Sequence, residues 1–268
     1  MRIFTHISLN AVYFQAMKVS GLLRHIDTFA PFSLAEEWDN SGLLIGNNDD
    51  EIKRIAVCLD AVSDSVIEAE EMGCNVLVTH HPLIFRPVKK ITADTEQGRA
   101  IIEAVRRNIS IIAVHTNWDK AGGGVNDTLG ALIGLKNIET LGTFGVWGVI
   151  SPKMKARDFA KHVKSSWHLS HIDVYTNNNK PVSRVALCGG SGSEFWRSAK
   201  EIGADMYITA DMKYHEISDA VNEGLSIALC EHGEMERASI SQLAHKLEGC
   251  GIETVILDVK ALPTLTRI

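Results

Sequence analysis

The sequence predicts an α/β protein built of two similar α/β domains from an internal duplication, with a metal site in the cleft between them. Three observations predict this. First, residues 52–81 (IKRIAVCLDAVSDSVIEAEEMGCNVLVTHH) align without a gap on residues 182–211 (VSRVALCGGSGSEFWRSAKEIGADMYITAD), with 8 identities in 30 positions. These include Arg54/Arg184, Ala56/Ala186, Cys58/Cys188, Gly73/Gly203 and Thr79/Thr209. Second, each copy reads as an apolar strand, a polar loop, a helix ending at a glycine, and a second strand, the alternation of layered α/β folds. Third, the next strand of each half leads into a His and a carboxylate four residues apart: His115 and Asp119, then His232 and Glu236. Two halves that each deliver such donors at strand ends can share one site.

Residues 1–16 carry an apolar run broken by Asn10 and Gln15, a poor signal peptide, and are read as an N-terminal extension without functional weight. The apolar spacing of Val19, Leu22, Leu23 and Ile26 predicts a helix over 18–30. Pro31 and the acidic turn from Ala35 to Gly42 lead to a strand at Leu43–Ile45. The first copy supplies a strand at Ile55–Leu59, a helix at about 63–72 and a strand at Asn75–Thr79, followed by a His80-His81-Pro82 loop. A helix at about 96–107, a strand at Ile109–Val114 and a helix opened by Gly122–Gly124 near Val125 follow. Between the copies, 137–181 is read as a strand at Thr143–Val149, a helix at about 155–165 and an asparagine-rich connection. A helix at about 237–248 and a strand at Thr254–Leu257 end the chain. The expected domains are 17–130, completed by 237–268, and 131–236.

With 45% hydrophobic and 22% charged residues, the 268-residue chain has an ordinary globular composition with ample material for a core. Its net charge of −6 argues against a dedicated nucleic-acid surface. No apolar run approaches the roughly 18 residues of a membrane span. The five cysteines are widely spaced without a CxxC pair, which favours core thiols and a reducing cytoplasm over a disulfide scaffold.

Each candidate motif has a plain structural alternative when taken alone. His80 and His81 stand at a strand's carboxyl end, where open α/β sheets collect ligands, yet they also suit a solvated loop. Asp119 suits a turn cap, and His232 to Glu236 suits a charged helix start. Their joint occurrence at matching positions of a duplicated unit favours metal. Five donors, His80, His81, Asp119, His232 and Glu236, exceed the needs of one zinc ion and suit two bridged metals. His115 is then an outer partner or proton carrier. Asp211 to Glu216 follows the second-copy strand where the His pair follows the first. There Lys213, Tyr214 and His215 could orient a phosphate or leaving group, or Asp211 could cap a helix. The Gly189-Gly190-Ser191-Gly192 loop could present N–H groups to an anion, but it matches neither GxGxxG nor a Walker loop.

The segment Leu34 to Leu43 (LAEEWDNSGL), with Thr79 to Phe85 (THHPLIF), His115 to Asp119 (HTNWD) and Gly189 to Gly192 (GGSG), resembles the NGG-interacting-factor-like (Nif-three-like) dinuclear metal centre family. Its members are often labelled GTP cyclohydrolase 1 type 2 homologues. The resemblance runs from about Met17 to the C-terminus. It implies the same five metal ligands, two divalent ions per chain (Zn, Fe, Mn, Co or Ni), and a toroidal homohexamer with sites facing an inner cavity. It also implies two similar α/β domains, the first completed by the C-terminal segment. Longer relatives insert a further domain where 137–181 stands here. The stretch Glu231-His232-Gly233-Glu234-Met235-Glu236 departs from the family's frequent Gly before the His and Ser before the Glu, while keeping the ligand spacing. The implied activity is metal-dependent hydrolysis of a nucleotide-like substrate at cyclic amidine C–N bonds, with His115 or His215 carrying protons. The rival expectation is a non-catalytic metal-binding regulatory or metal-handling protein.

Overall fold

The computed structural model describes residues 17–262, so the N-terminal extension 1–16 and the last six residues lie outside the described residues. Two sheets form the frame. The first half runs through α1 (Val19–Phe29), β1 (Gly42–Ile45), β2 (Ile55–Asp60), α2 (Ser63–Glu71), β3 (Val76–His81), α3 (Glu96–Arg107), β4 (Ser110–Ala113), the short α4 (Thr116–Lys120) and α5 (Val125–Leu132). The second half runs through β5 (Lys136–Leu141), β6 (Gly145–Lys155), α6 (Ala156–Ser166), β7 (Ile172–Tyr175), β8 (Pro181–Leu187), α7 (Trp196–Glu201), β9 (Met206–Thr209), α8 (Tyr214–Asn222) and β10 (Ser226–Cys230). Helices α9 (His232–Arg237) and α10 (Ile240–Glu248) and strand β11 (Thr254–Ile256) close the described chain.

The sheet orders are β1-β4-β3-β2-β11 and β5-β6-β8-β9-β10-β7. In each, three strands of the duplicated unit run parallel, β2-β3-β4 and β8-β9-β10, and a short antiparallel strand, β1 or β7, guards the far edge. The parallel strands are near-continuous apolar runs because helices cover both faces. Within β2 and β3, alternate residues serve different cores. Ile55, Val57, Leu59, Val76 and Val78 join a core that continues into the second half through Val146, Val185 and Ile208. Ala56, Cys58 and Leu77 face an outer core with Val66 and Ile101 of α2 and α3. The outer face of the second sheet packs Ala186, Tyr207 and Ile227 on Trp196 and Ala199.

The halves exchange helices. Helix α5, which leaves the first sheet, packs on β5 and β6 of the second. Helix α10, which leaves the second, packs on β2 and β11 of the first, and His25 of α1 bonds the Lys246 carbonyl at 2.8 Å. Strand β11 extends the first sheet parallel to β2.

Several expectations shift. Strand β3 continues through His80 and His81, beyond the expected end at Thr79, because His81 stays in register with Asp60 of β2. The expected strand at Thr143–Val149 is the longer β6, paired with an unexpected β5. Strand β7, antiparallel to β10, was not expected. The helix expected over 237–248 is α10, which begins at Ile240; a separate short α9 ends before it at Arg237, with Ser239 donating its hydroxyl to the Glu236 carbonyl at 2.7 Å. Short α4 was not expected at all; its five residues are too few to show a periodic pattern.

Trp118 anchors α4: it is fully buried and meets Phe29 edge-on at 5.7 Å, while its indole N–H has no partner. Trp118→Ala is expected to cost about 3–5 kcal/mol of unfolding free energy in urea titration. Trp118→Phe is expected to cost clearly less, because it keeps most of the packing and removes an unsatisfied donor.

Candidate metal centre

The carboxyl ends of β2, β3 and β4 in one half and of β9 and β10 in the other point their terminal polar residues at one place. Period-two alternation makes the two strand-end histidines diverge. His80 follows Val76 and Val78 on the shared-core face and is buried, whereas His81 follows Leu77 and Thr79 on the other. His115 is the N-cap of α4 and Asp119 lies one turn into it. His232 and Glu236 are one turn apart on α9 and share a face, with Glu236 buried and His232 Nε2 3.1 Å from its Oε2.

Glu236 stands at the centre. Its Oε2 is also 2.9 Å from His81 Nε2, and its Oε1 lies 3.9 Å from His80 Nε2. Asp119 Oδ1 is 3.7 Å from His80 Nε2. Three sets of donor atoms each lie within 4.8 Å of one another: His80, Asp119 and Glu236; His81, His232 and Glu236; and His80, His81 and His115. The five predicted ligands are thus brought together, and His115 joins them. His215 is not: it is exposed on the first turn of α8, edge-on to Tyr214 at 5.3 Å, and makes none of the contacts that link the other six.

All four clustered imidazoles are oriented the same way. Nδ1 of His80 donates to the Val114 carbonyl at 2.9 Å, that of His81 to Asp60 at 2.7 Å, that of His115 to Asp39 at 2.7 Å and that of His232 to Asp211 at 2.8 Å. Each acceptor fixes the ring and its tautomer and turns Nε2 toward the cluster, the arrangement metal-ligating histidines adopt. Asp60, Asp211 and Asp39 therefore orient the candidate ligands and His115, a support that the sequence reading did not assign to them. Asp211 caps no helix, since α8 begins after Lys213. Asp39 was visible only as part of the acidic turn. It accepts from Ser41 Oγ at 2.9 Å and from the Thr116 amide and hydroxyl at 3.1 and 2.6 Å. Burial opposes its charge, but these bonds and His115 hold its carboxyl well below the usual range.

The residues fit cations. His80 Nε2 and Asp119 Oδ1 are buried without a hydrogen-bond partner, an arrangement that costs about 1–3 kcal/mol per group unless something fills the gap. Burial and the neighbouring Glu236 push the Asp119 carboxyl up, against the pull of His80. Glu236 is held well below its ordinary value, its burial outweighed by hydrogen bonds and charge from the histidines. In return, His81 is pushed up to about 10 and His232 to about 9: burial opposes both charges, but Glu236 with Asp60, or with Asp211, prevails.

The Gly189 to Gly192 loop packs against this centre. A side chain at Gly190, where φ is +63°, would put its Cβ 2.3 Å from Glu236 Oε1. The amides of Gly189 and Gly192 are committed to Asn126 Oδ1 at 2.7 Å and Thr209 Oγ1 at 3.0 Å. The Gly122 to Gly124 run is a tight turn in which the Gly123 amide bonds Asp127. Burial pushes the Cys58 and Cys230 thiols up to about 12, so neither is a nucleophile near neutrality.

Known proteins share this frame. A Clostridium perfringens protein named GTP cyclohydrolase 1 type 2 homolog is 32% identical over 240 residues, spanning 87% of this chain and 92% of that protein. NIF3-like protein 1 of Drosophila melanogaster is 31% identical over 242 residues, 85% and 81% of the two chains. A hypothetical protein of Staphylococcus aureus superposes with a TM-score of 0.90 at 28% identity, covering 94% of this chain and 100% of that one. Reduced HcgD from Methanocaldococcus jannaschii superposes with a TM-score of 0.80, also at 28% identity, covering 91% and 99%. The family model described as Duf34/NIF3 (NGG1p interacting factor 3) matches residues 17–263, and the chain belongs to that family.

Proposed function

We propose that the cluster is a dinuclear metal centre and the chain a metal-dependent hydrolase of a nucleotide-like substrate. The observation that carries this reading is Glu236, whose two oxygens face different donor sets. His80 and Asp119 with Oε1 would hold one divalent ion, and His81 and His232 with Oε2 the other. Mixed imidazole and carboxylate donors admit Zn, Fe, Mn, Co or Ni. Such a pair supplies a polarised, readily deprotonated water and a clamp on the bond being broken.

The chain's own residues supply the rest. His115 is the proton carrier, in preference to His215, because Asp39 fixes its Nδ1–H and leaves Nε2 beside His80 and His81. The relatives' label points to a cyclic amidine of a guanine ring. Opening it joins water oxygen to the amidine carbon, breaks a C–N bond and leaves a proton on the departing nitrogen, which His115 can deliver. The resemblance further supports a homohexameric ring, checked by sedimentation. The five unpaired cysteines suit a reducing cytoplasm, and no helix among the described residues is long and apolar enough to cross a membrane.

The ligands come from both halves, which favours one second reading: the ions serve to clamp the halves in a non-catalytic metal-handling protein. Turnover of GTP or a related nucleotide, abolished in Asp119→Ala and Glu236→Ala with the fold intact, decides for the enzyme. Thermal collapse on metal removal, with no turnover of any nucleotide, decides for the clamp.

Elemental analysis of untagged protein is expected to give about two metals per chain, about one in Asp119→Ala and almost none in Glu236→Ala. Equal losses in the two variants would contradict a bridging role for Glu236. Metal loading must also displace the protons of His81 and His232, held at about 10 and about 9 in the metal-free chain. Affinity is therefore expected to rise with pH toward those values and to weaken below them. Titration calorimetry in buffers of different ionisation enthalpy is expected to show net proton release. In the metal-free protein the sign is opposite: stability from these imidazoliums is complete below about pH 6.5 and is lost as pH rises through about 9–10.

A further inference from the structure

Two large aromatic side chains stand exposed beside the candidate centre. Trp38 is 57% and Phe85 38% exposed, and they meet edge to face at 5.9 Å. Both also abut His115, with ring centroids at 6.4 and 6.1 Å. From the structure we infer that Trp38 and Phe85 form a stacking platform for a planar heteroaromatic base bearing an anionic substituent, holding it against His115 and the metal cluster. This inference rests on the nucleotide-like substrate proposed above and deepens it.

The platform is rigidly mounted, unlike a stray exposed ring. Trp38 sits in the turn closed by the Asp39 amide on the Glu36 carbonyl at 3.0 Å, next to the Asp39 carboxylate with its several bonds. Asn40 Nδ2 reaches across to the Ile84 carbonyl at 2.5 Å, fastening that turn to the loop carrying Phe85. That loop, 82–95, has no helix or strand, a length more typical of binding loops than of connections. Gln97 ties its start through the Leu83 carbonyl at 2.7 Å. Holding two hydrophobic rings in water has a solvation cost that a stacked base would relieve. The loop also supplies charge: Arg86 lies over the Phe85 ring at 5.4 Å, and Arg86, Lys89 and Lys90 are exposed. An anionic group on the stacked ligand would meet the guanidinium, which offers paired donors to phosphate.

The test is calorimetric binding of guanosine 5′-monophosphate, guanosine and ribose 5-phosphate to the full chain, metal-loaded and chelator-stripped. Guanosine 5′-monophosphate is expected to bind at least about tenfold more tightly than ribose 5-phosphate. Trp38→Ala is expected to weaken it about 5- to 150-fold, the range of base–aromatic stacking, with unchanged metal content. Trp38→Phe is expected to retain most of the affinity, and Arg86→Ala to narrow the preference over guanosine. Equal binding of the two phosphates, no binding of guanosine 5′-monophosphate, or parent-like affinity in Trp38→Ala would overturn the platform. So would a changed sedimentation coefficient in Trp38→Ala with unaltered nucleotide affinity, which would assign the rings to contact with a second copy. Trp38-dependent binding that persists in protein with no metal capacity would sustain the platform while the dinuclear reading fails.

Discussion

The buried carboxylate of Glu236 is the constraint around which this chain is organised. Taking a carboxylate out of water costs several kcal/mol even after relaxation. Here the cost is offset by imidazoles from both halves: His81 from β3, His232 from the same helical turn, and His80 at the edge of contact. Each imidazole is itself held by an oxygen behind it. Removing any outer acceptor would loosen a ring without changing a ligand, which is how outer residues tune metal sites. The site is therefore three layers deep, and its outermost layer, Asp60, Asp211 and Asp39, comes from three separate turns or strand ends.

A duplicated unit would be expected to give a symmetric centre, and the asymmetry here has a steric origin. Asp60 supports His81, and its counterpart at the same offset is Gly190. No side chain fits there, because Glu236 already occupies the space. The counterpart of His81 is Asp211, which has become the outer acceptor of His232. The duplication thus preserves the places and redistributes the roles between candidate ligand, support and empty space. One half supplies His80, His81 and Asp119, and the other supplies His232 and the shared carboxylate.

Much of this was legible from pattern. Long apolar strands and the amphipathic α2 and α3 declare themselves, and the repeat with its His and carboxylate spacing singled out the five candidate ligands that the structure clusters. The illegible parts share a physical cause. Strands β5 and β7 are short or solvent-facing, so their alternation is weak. The break between α9 and α10 rests on Ser239 and the Glu236 carbonyl, a local bond that hydropathy does not register. Asp60, Asp39 and Asp211 do their work through partners 21 to 76 residues away, and only tertiary structure supplies such pairings. His215 shows the converse. A histidine at a matching strand end looked chemical, but α8 carries its side chain into solvent.

The exchange of α5 and α10 ties the position of the site to the packing of both halves. Asn126, buried at the start of α5, accepts from the Gly189 amide at 2.7 Å and reaches the Asp119 carbonyl at 3.4 Å. It therefore joins the helix bearing Asp119 to the loop that walls Glu236. One turn further along α5, the Leu129 carbonyl accepts from the Trp167 indole of the second half at 3.1 Å. On the other side, Met235 is buried beside the Glu236 it precedes, and α9 rests on β2. A hinge opening the halves would have to part these contacts together with the Glu236 bonds to His81. Close-packed interfaces of this kind switch between discrete arrangements or stay shut. Access to the centre accordingly falls to the loops at its mouth, above all the turn of Trp38 and the loop of Phe85, and not to separation of the halves.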